Sequence, residues 1–386
     1  MLLTVMSILV LAFWLSRFLH FRPSHLRHLP LSNPCDGQAL VSMIVAARDE
    51  EDSIEANVRS LLAQSYPSLE LIVVNDRSSD QTGPILMRLA AEFPRLKVIH
   101  QERLAEGWLG KCWALHTGSK IAQGEWLIFC DGDVILAPDA LKNALATAQK
   151  EGLDHLTMAP RMLSGSWWEE AVITSLSFLF FIFQDPADVN RPERPKSYLG
   201  IGAFNMVRSS LYRSWGGHEP LRLEVVDDVF LGMLVKRNKG RSAFFLGFDQ
   251  ASLRWYPSLW AYIKGVEKNS FAGLQFSVPL LIVAILGQII IFQAPLVLVL
   301  MGEGVARLCF ALALLASHAC YAIHCYKHHV SLDKALALTL VIGVQFFAFS
   351  RSAWITLRRG GIEWRGNFYP LQSLRQAQRR LRRTGS

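Results

Sequence analysis

The chain predicts an α/β domain with a mostly parallel, doubly wound sheet, carried on membrane helices, and three observations lead there. Strand-like apolar runs alternate with helix starts across residues 40–150, and alternation of this kind means parallel strands joined by helices. Apolar stretches long enough to cross a bilayer lie at the N-terminus and after residue 275. One apolar run, residues 124–134, stops abruptly in Asp131-Gly132-Asp133. Ligands of open α/β sheets sit beyond the carboxyl ends of the strands, where hard cations take carboxylate oxygens.

The 386 residues are 51% hydrophobic, too apolar for a water-soluble domain alone. Residues 1–15 hold no lysine or arginine, whereas Arg17, Arg22 and Arg27 follow them, the reverse of a cleaved leader. Residues 1–20 are therefore expected to be an N-terminal transmembrane anchor. By the positive-inside rule the next residues are cytoplasmic, in a multi-pass protein of the cell (inner) membrane. None of the six cysteines, Cys35, Cys112, Cys130, Cys309, Cys320 and Cys325, forms a Cys-x-x-Cys pair, so no zinc or disulfide framework is visible. The net charge of +8 arises largely after Leu357, where eight arginines face one acid, Glu363. Beside membrane segments that basic tail, residues 357–386, points to anionic headgroups and not to nucleic acid.

In chain order, residues 40–47 read as the first strand, and the acids of Arg48-Asp49-Glu50-Glu51-Asp52 as the first turn of a helix, where the dipole favours them. Residues 69–75 make the second strand, stopped by Asp76-Arg77-Ser78-Ser79-Asp80, another helix start. Residues 96–100, 111–122, 126–130 and 138–150 continue as strand, helix, strand, helix. The alternation then decays. Residues 171–183 read as an interfacial helix, with a buried helix as the alternative. Residues 276–301, 305–323 and 336–353 give three C-terminal membrane segments within residues 273–356, the last interrupted by Gln345 and Arg351. Four crossings place the arginine-rich tail outside, against the positive-inside rule, which leaves a re-entrant last segment as the alternative. Leu371, Leu374 and Leu381 give the tail helix one apolar edge, expected at headgroup level.

Within residues 39–272, four constellations sit at strand ends or helix starts. Ala46, Ala47, Arg48 and Glu50 at the first strand end, with Asp76 at the second, would flank a nucleotide, since a carboxylate there accepts hydrogen bonds from a base or ribose. A helix cap is the plain alternative for Asp76. Gly107-Trp108-Leu109-Gly110-Lys111 sets a cation before a helix, suited to phosphate. Asp131 and Asp133 are the candidate metal ligands, although Asp-Gly-Asp alone also reads as a polar turn. Asp227-Asp228, after Gly216-Gly217-His218, crowds two carboxylates so that each raises the other's pKa, as a general base requires; a solvated helix start is the alternative. Arg254-Trp255 could close over a diphosphate or anchor the chain at an interface.

Taken together, these motifs resemble those of membrane-anchored family 2 glycosyltransferases of GT-A fold, in the branch that holds ceramide glucosyltransferases and hopanoid-associated or carotenoid glycosyltransferases. The resemblance covers about residues 40–273. It implies a nucleotide held by Ala47, Arg48, Glu50 and Asp76, a Mg2+ or Mn2+ diphosphate at Asp131 and Asp133, donor contacts from Lys111, Arg254 and Trp255, and Asp228 as base beside Asp227. Two departures stand out. The usual Glu-Asp pair is Asp227-Asp228, and Gln250 stands one place too early for the usual closing motif, with Ala251 in its position. The expected activity is inverting transfer of one sugar from a nucleotide-sugar, a UDP-sugar first, to a membrane lipid hydroxyl. A processive polysaccharide synthase and a non-catalytic membrane scaffold are the alternatives.

Overall fold

The computed structural model describes residues 1–21, 26–31 and 38–383; Arg22 and Cys35 lie outside the described residues. In chain order the elements are α1 (Leu2–Phe21), β1 (Val41–Ala47), α2 (Ile54–Leu62), β2 (Leu69–Asp76), α3 (Thr82–Glu92), β3 (Leu96–Gln101), α4 (Gly110–Ile121), β4 (Trp126–Asp131), β5 (Ile135–Leu136) and α5 (Ala140–Glu151). There follow β6 (His155–Ala159), β7 (Arg161–Met162), α6 (Trp167–Phe183), β8 (Asn205–Arg208), α7 (Ser209–Ser214), α8 (Asp227–Arg237), β9 (Ser242–Leu246), β10 (Ala251–Leu253), α9 (Leu259–Gly265) and α10 (Glu267–Gly273). The chain continues with α11 (Val278–Gln288), α12 (Ala294–Met301), α13 (Gly304–Lys327), α14 (Leu338–Arg359), β11 (Gly361–Trp364), β12 (Asn367–Pro370) and α15 (Leu371–Arg383). Packing divides these into an α/β unit, with the segments Leu26–Leu163 and Pro186–Trp255 and the tail from Trp364, and a helical unit of α1, Ser164–Asp185 and Tyr256–Glu363.

The α/β unit is built on a seven-stranded sheet in the order β3-β2-β1-β4-β8-β6-β9. β1 runs parallel to β2 and β4, and β2 to β3, whereas β8 is antiparallel to both β4 and β6. Both faces are covered, so β1 and β2 are almost continuously apolar and buried instead of alternating. On one face Met43, Val45, Leu71, Val73 and Ile128 pack with Val58 of α2, Leu89 of α3 and Leu145 of α5. On the other Ile44, Ile72, Val74 and Phe129 pack with Leu115 of α4 and Leu231 of α8. Close approach of α4 requires Gly118, where a Cβ would lie 2.6 Å from the Ile44 methyl. The mostly parallel α/β sheet of the sequence reading is therefore present, widened by β6, β8 and β9, which the decaying pattern had hidden.

The tail helix differs from the expectation. Its apolar edge, Leu371, Leu374 and Leu381, is buried within the α/β unit and does not lie free for headgroups. Arg237 donates to the carbonyls of Leu381 and Arg382, and Gln378 donates to Glu224 at 3.1 Å. Burial of two such leucines is worth about 3–6 kcal/mol before entropy, enough to hold an otherwise polar arginine helix in place.

In the helical unit, among the described residues, four helices are long and apolar enough to cross a membrane: Leu2–His20, Val278–Met301, Gly304–Lys327 and Leu332–Arg359. Trp14 packs between Phe178 and Phe292 and donates from Nε1 to the Ile291 carbonyl at 3.0 Å. Helix α6 buries Ala171, Val172, Ser175, Phe178 and Ile182 among its neighbours, so the buried alternative describes most of its surface. Gln345, the polar interruption in the last segment, is fully buried: it donates to the Val172 carbonyl at 2.8 Å and to Ser175 Oγ at 2.9 Å, and accepts from Tyr262. Arg351 pairs with Glu267 at 3.2 Å. An apolar helix tolerates such groups where a partner satisfies them.

Candidate active site

At the first strand end the acids do not open a helix, because α2 starts only at Ile54. They bind the neighbouring loop instead. Asp49, in the left-handed region at φ 52°, accepts from Ser79 N at 2.8 Å, Glu50 N donates to Thr82 at 2.8 Å, and Glu51 N donates to Asp80 at 3.0 Å. These bonds fix the ends of β1 and β2 side by side. Asp76, the buried last residue of β2, accepts from Arg77 Nε and Nη2 at 2.8 and 3.1 Å, with Arg48 Nη1 at 3.7 Å. The first residue of α4, Gly110, lies so close that a Cβ would meet Asp76 Oδ2 at 2.3 Å. A helix N-terminus thereby faces a carboxylate, which its dipole favours. Arg48 Nε and Nη1 are buried without a hydrogen-bond partner, groups that a ligand oxygen would satisfy.

At the end of β4, Asp131 lies in register with Ala46 of β1 and donates from its N–H to the Gly202 carbonyl at 2.9 Å. Gly202 N in turn donates to Asp228 Oδ2 at 2.9 Å, and Val229 N to Asp228 Oδ1 at 2.9 Å. Residue 202 must be glycine, since a Cβ would come within 2.3 Å of Asp131 Oδ2. Lys111 Nζ stands 2.7 Å from Asp131 Oδ1 and 3.7 Å from Asp227 Oδ1. A small cavity is lined by Lys111, Cys130, Asp131, Gly202, Asp227 and Asp228, among others.

Both Asp227 and Asp228 line this cavity, although successive helix residues diverge by about 100°. Asp227 is the first residue of α8, and its carboxylate turns toward Lys111 and toward His218 Nε2, 4.0 Å away. His218 accepts or donates at Nδ1 to the Tyr212 hydroxyl at 2.5 Å, and burial holds its pKa down at about 3, so it is neutral.

The electrostatics follow from desolvation. Burial raises the pKa of Asp227 to about 6, with Lys111 opposing and Asp228 and Asp131 adding. Asp228 is raised too, by burial first and against the Lys111 charge, then by Asp131. Asp133 reaches about 7 through burial and the nearby Asp131 and Glu50 carboxylates. Lys111 loses hydration as well, yet Asp131, Asp227 and Asp228 together hold its pKa well above the ordinary lysine value.

Arg254 and Trp255 follow β10, which runs antiparallel to β5 with Ala251 opposite Leu136 and Ser252 opposite Ile135, and so heads back toward Asp133. Trp255 packs against the core. Gln250 is buried and accepts from Asn143 at 3.2 Å, which gives it a structural role in place of the closing motif. The structure thus gathers Lys111, Asp131, Asp227 and Asp228 around one cavity and sets Arg48, Glu50 and Asp76 at the adjacent strand ends. Sequence reasoning missed Gly202 as the link between two carboxylates. Its signal was the pair of glycines at 200 and 202, for a Cβ at Gly200 would lie 1.9 Å from the Asp228 carbonyl.

Residues 42–215 match the sequence model of glycosyl transferase family 2. The chain is 33% identical over 141 residues to a beta-monoglucosyldiacylglycerol synthase of Trichormus variabilis, a match covering 36% of this chain and 30% of that protein. It is 24% identical over 244 residues to a 4,4'-diaponeurosporenoate glycosyltransferase of Staphylococcus haemolyticus, covering 62% of this chain and 63% of that one. The alignments therefore span less than two thirds of each relative's length. Among solved structures, the mannosyltransferase PcManGT from Pyrobaculum calidifontis in complex with GDP-Man and Mn2+ aligns with a TM-score of 0.53 at 18% identity, covering 92% of this chain and 98% of that chain. At that identity the likeness shows the fold, and it is GT-A. Sequence match and sheet architecture agree: residues 42–215 match glycosyl transferase family 2, and the domain that contains them has the GT-A fold.

Proposed function

We propose that the protein is an inverting glycosyltransferase that moves one sugar from a nucleotide-sugar, a UDP-sugar first, to the hydroxyl of a membrane lipid. The observation that carries this reading is the convergence of Asp131, Asp227 and Asp228 on Lys111 in one cavity at the carboxyl edge of the sheet, with Lys111 and Asp131 inside the matched residues 42–215 and the Asp227-Asp228 pair just beyond them. The relatives named for a glucosyldiacylglycerol and for a carotenoid acid support a lipid acceptor. The four apolar helices support presentation at a bilayer.

In this reading Asp228 takes the acceptor proton as the hydroxyl oxygen bonds to the anomeric carbon and the bond from that carbon to the diphosphate breaks. The Gly202 and Val229 N–H groups hold one Asp228 oxygen each, fixing the carboxylate's plane. Lys111 pairs with Asp131 at 2.7 Å and supplies positive charge beside the leaving group. Asp227, turned toward Lys111, holds that lysine in place.

Among the described residues no group of three or more His, Cys, Asp or Glu side chains forms a ready cage for an ion. Magnesium commonly binds one or two carboxylates together with substrate phosphates. Asp133 is raised by burial first and then by repulsion from Asp131 and Glu50, and that second contribution fits a site meant for added positive charge. Asp131 and Asp133 would hold Mg2+ or Mn2+, which when bound stabilises the charge on the departing diphosphate.

The test is purified protein in lipid vesicles with a panel of radiolabelled nucleotide-sugars, following label into the organic phase. Label in one glycolipid supports the proposal. Label in an aqueous polymer replaces it with a polysaccharide synthase, and no transfer from any donor replaces it with a scaffold. A cytoplasmic active site further expects a cysteine at exposed Ala63 to resist membrane-impermeant thiol reagents in intact cells; labelling from outside reverses the orientation.

A further inference from the structure

Resting on the nucleotide reading of Arg48, Glu50 and Asp76, we infer that the C-terminal strap, Arg365 to Tyr369, forms a wall of the donor pocket and that Tyr369 and Arg365 are donor-positioning residues. The strap lies outside the matched residues 42–215. Its tip is a two-residue turn with φ of 50° at Arg365 and 75° at Gly366, the conformation a tight hairpin requires.

Five contacts set this turn against the strand ends. Arg365 Nη2 pairs with Glu50 Oε1 at 2.7 Å, and its Nη1 donates to the Asp49 carbonyl at 3.3 Å. Arg77 Nη1 donates to Asn367 Oδ1 at 3.4 Å. Gly366 faces Arg48, with room for a Cβ 3.9 Å from Nη2. Tyr369 is buried beside the Gly110 backbone at the start of α4, in the field of Arg77, Asp76 and Arg48.

The residues that would read a nucleotide are thus the residues the strap touches. Between them Arg48 keeps two buried N–H-bearing nitrogens without a hydrogen-bond partner. A surface tail with a purely structural role would bury apolar groups and leave the strand ends open. Instead α15 supplies that apolar anchor, through Leu374 and Leu381, and the preceding turn carries polar and aromatic groups to the strand ends. A phenol and a guanidinium are suited to the ribose, base and phosphate of a nucleotide.

The experiment is calorimetric titration of full-length protein in detergent with UDP and GDP in the presence of Mg2+. Tyr369→Ala is expected to weaken the preferred nucleotide by about tenfold and Arg365→Ala by about threefold, with the KM for the lipid acceptor unchanged. Tyr369→Phe, which keeps the ring, guards against misfolding and should fall between wild type and Tyr369→Ala. Binding unchanged in all three variants overturns the inference, and so does tighter binding, which makes the strap a plug. Asp76→Asn is the control for the underlying reading. If it weakens the nucleotide and the strap variants do not, only the strap is wrong; if neither UDP nor GDP binds wild type, or Asp76→Asn has no effect, the nucleotide reading itself falls.

Discussion

The two ends of the site are built from the same residue types and balanced in opposite ways. At the strand ends of β1 and β2 each acid has its own partner: Asp76 has Arg77, Glu50 has Arg365, and Asp49 has the Ser79 N–H. Around the cavity, Asp131 and Asp227 share Lys111, and burial has lifted Asp133, Asp227 and Asp228 above the ordinary aspartate range. The first end is neutralised within the chain and can recognise by shape and hydrogen bonds. The second carries more acid than its cation balances, an arrangement that favours an added cation and a proton acceptor.

The largest expected effect breaks the end proposed as catalytic. Asp228→Asn should lower turnover by about 10²–10⁴-fold, the usual worth of a general base, while nucleotide affinity measured by calorimetry stays put. Asp227→Glu should remain active. A dead Asp227→Glu beside a working Asp228→Asn would exchange their roles.

Next in size, Asp131→Asn and Asp133→Asn should each weaken Mn2+ binding, followed by metal titration of donor affinity, by about 10–100-fold, and wild-type turnover should stop with a chelator. Full turnover in chelator would remove the metal from this end.

A smaller effect sharpens the imbalance. Because the carboxylates here have raised pKa values, kcat/KM should fall as pH drops through about 7 to 6, where Asp133 and Asp227 take up protons. Lys111 lowers those pKa values, so Lys111→Met should move the acid limb upward by about one pH unit. A limb that stays in place means Lys111 does not set the charge state.

The smallest concerns Glu224, which is buried and has a pKa of about 8, raised by burial against its bond to Gln378. Its folded pKa exceeds the ordinary glutamate value, so the stability its neutral form allows is full near pH 4 and is lost as pH rises through 8. Glu224→Gln should flatten the fall of Tm between pH 5 and 8.5 by a few degrees. Identical Tm profiles would show that Glu224 is solvated.

Much of this was legible in the chain. Strands β1 to β4 could be read because each is an apolar run ended by a polar cluster, and Asp131 was visible as the point where one run stops. Strands β6, β8 and β9 were not, since four or five residues such as Asn205–Arg208 carry too little periodicity to separate a strand from a loop. The acids at 49–51 were misread as a helix start because charge pattern alone does not show that a neighbouring loop, 29 or more residues on, offers N–H and hydroxyl partners.

By itself the sequence determined the α/β alternation, the apolar helices and the clusters of acid at strand ends, because these depend on local periodicity and composition. Only the tertiary structure decided which carboxylates share a cation, why Gly202 must lack a side chain, and that the arginine-rich tail folds onto the α/β unit. Those outcomes depend on contacts between residues as far apart as Glu50 and Arg365, whose pairing is set by where the sheet ends and the last helix anchors, and no local pattern encodes that distance.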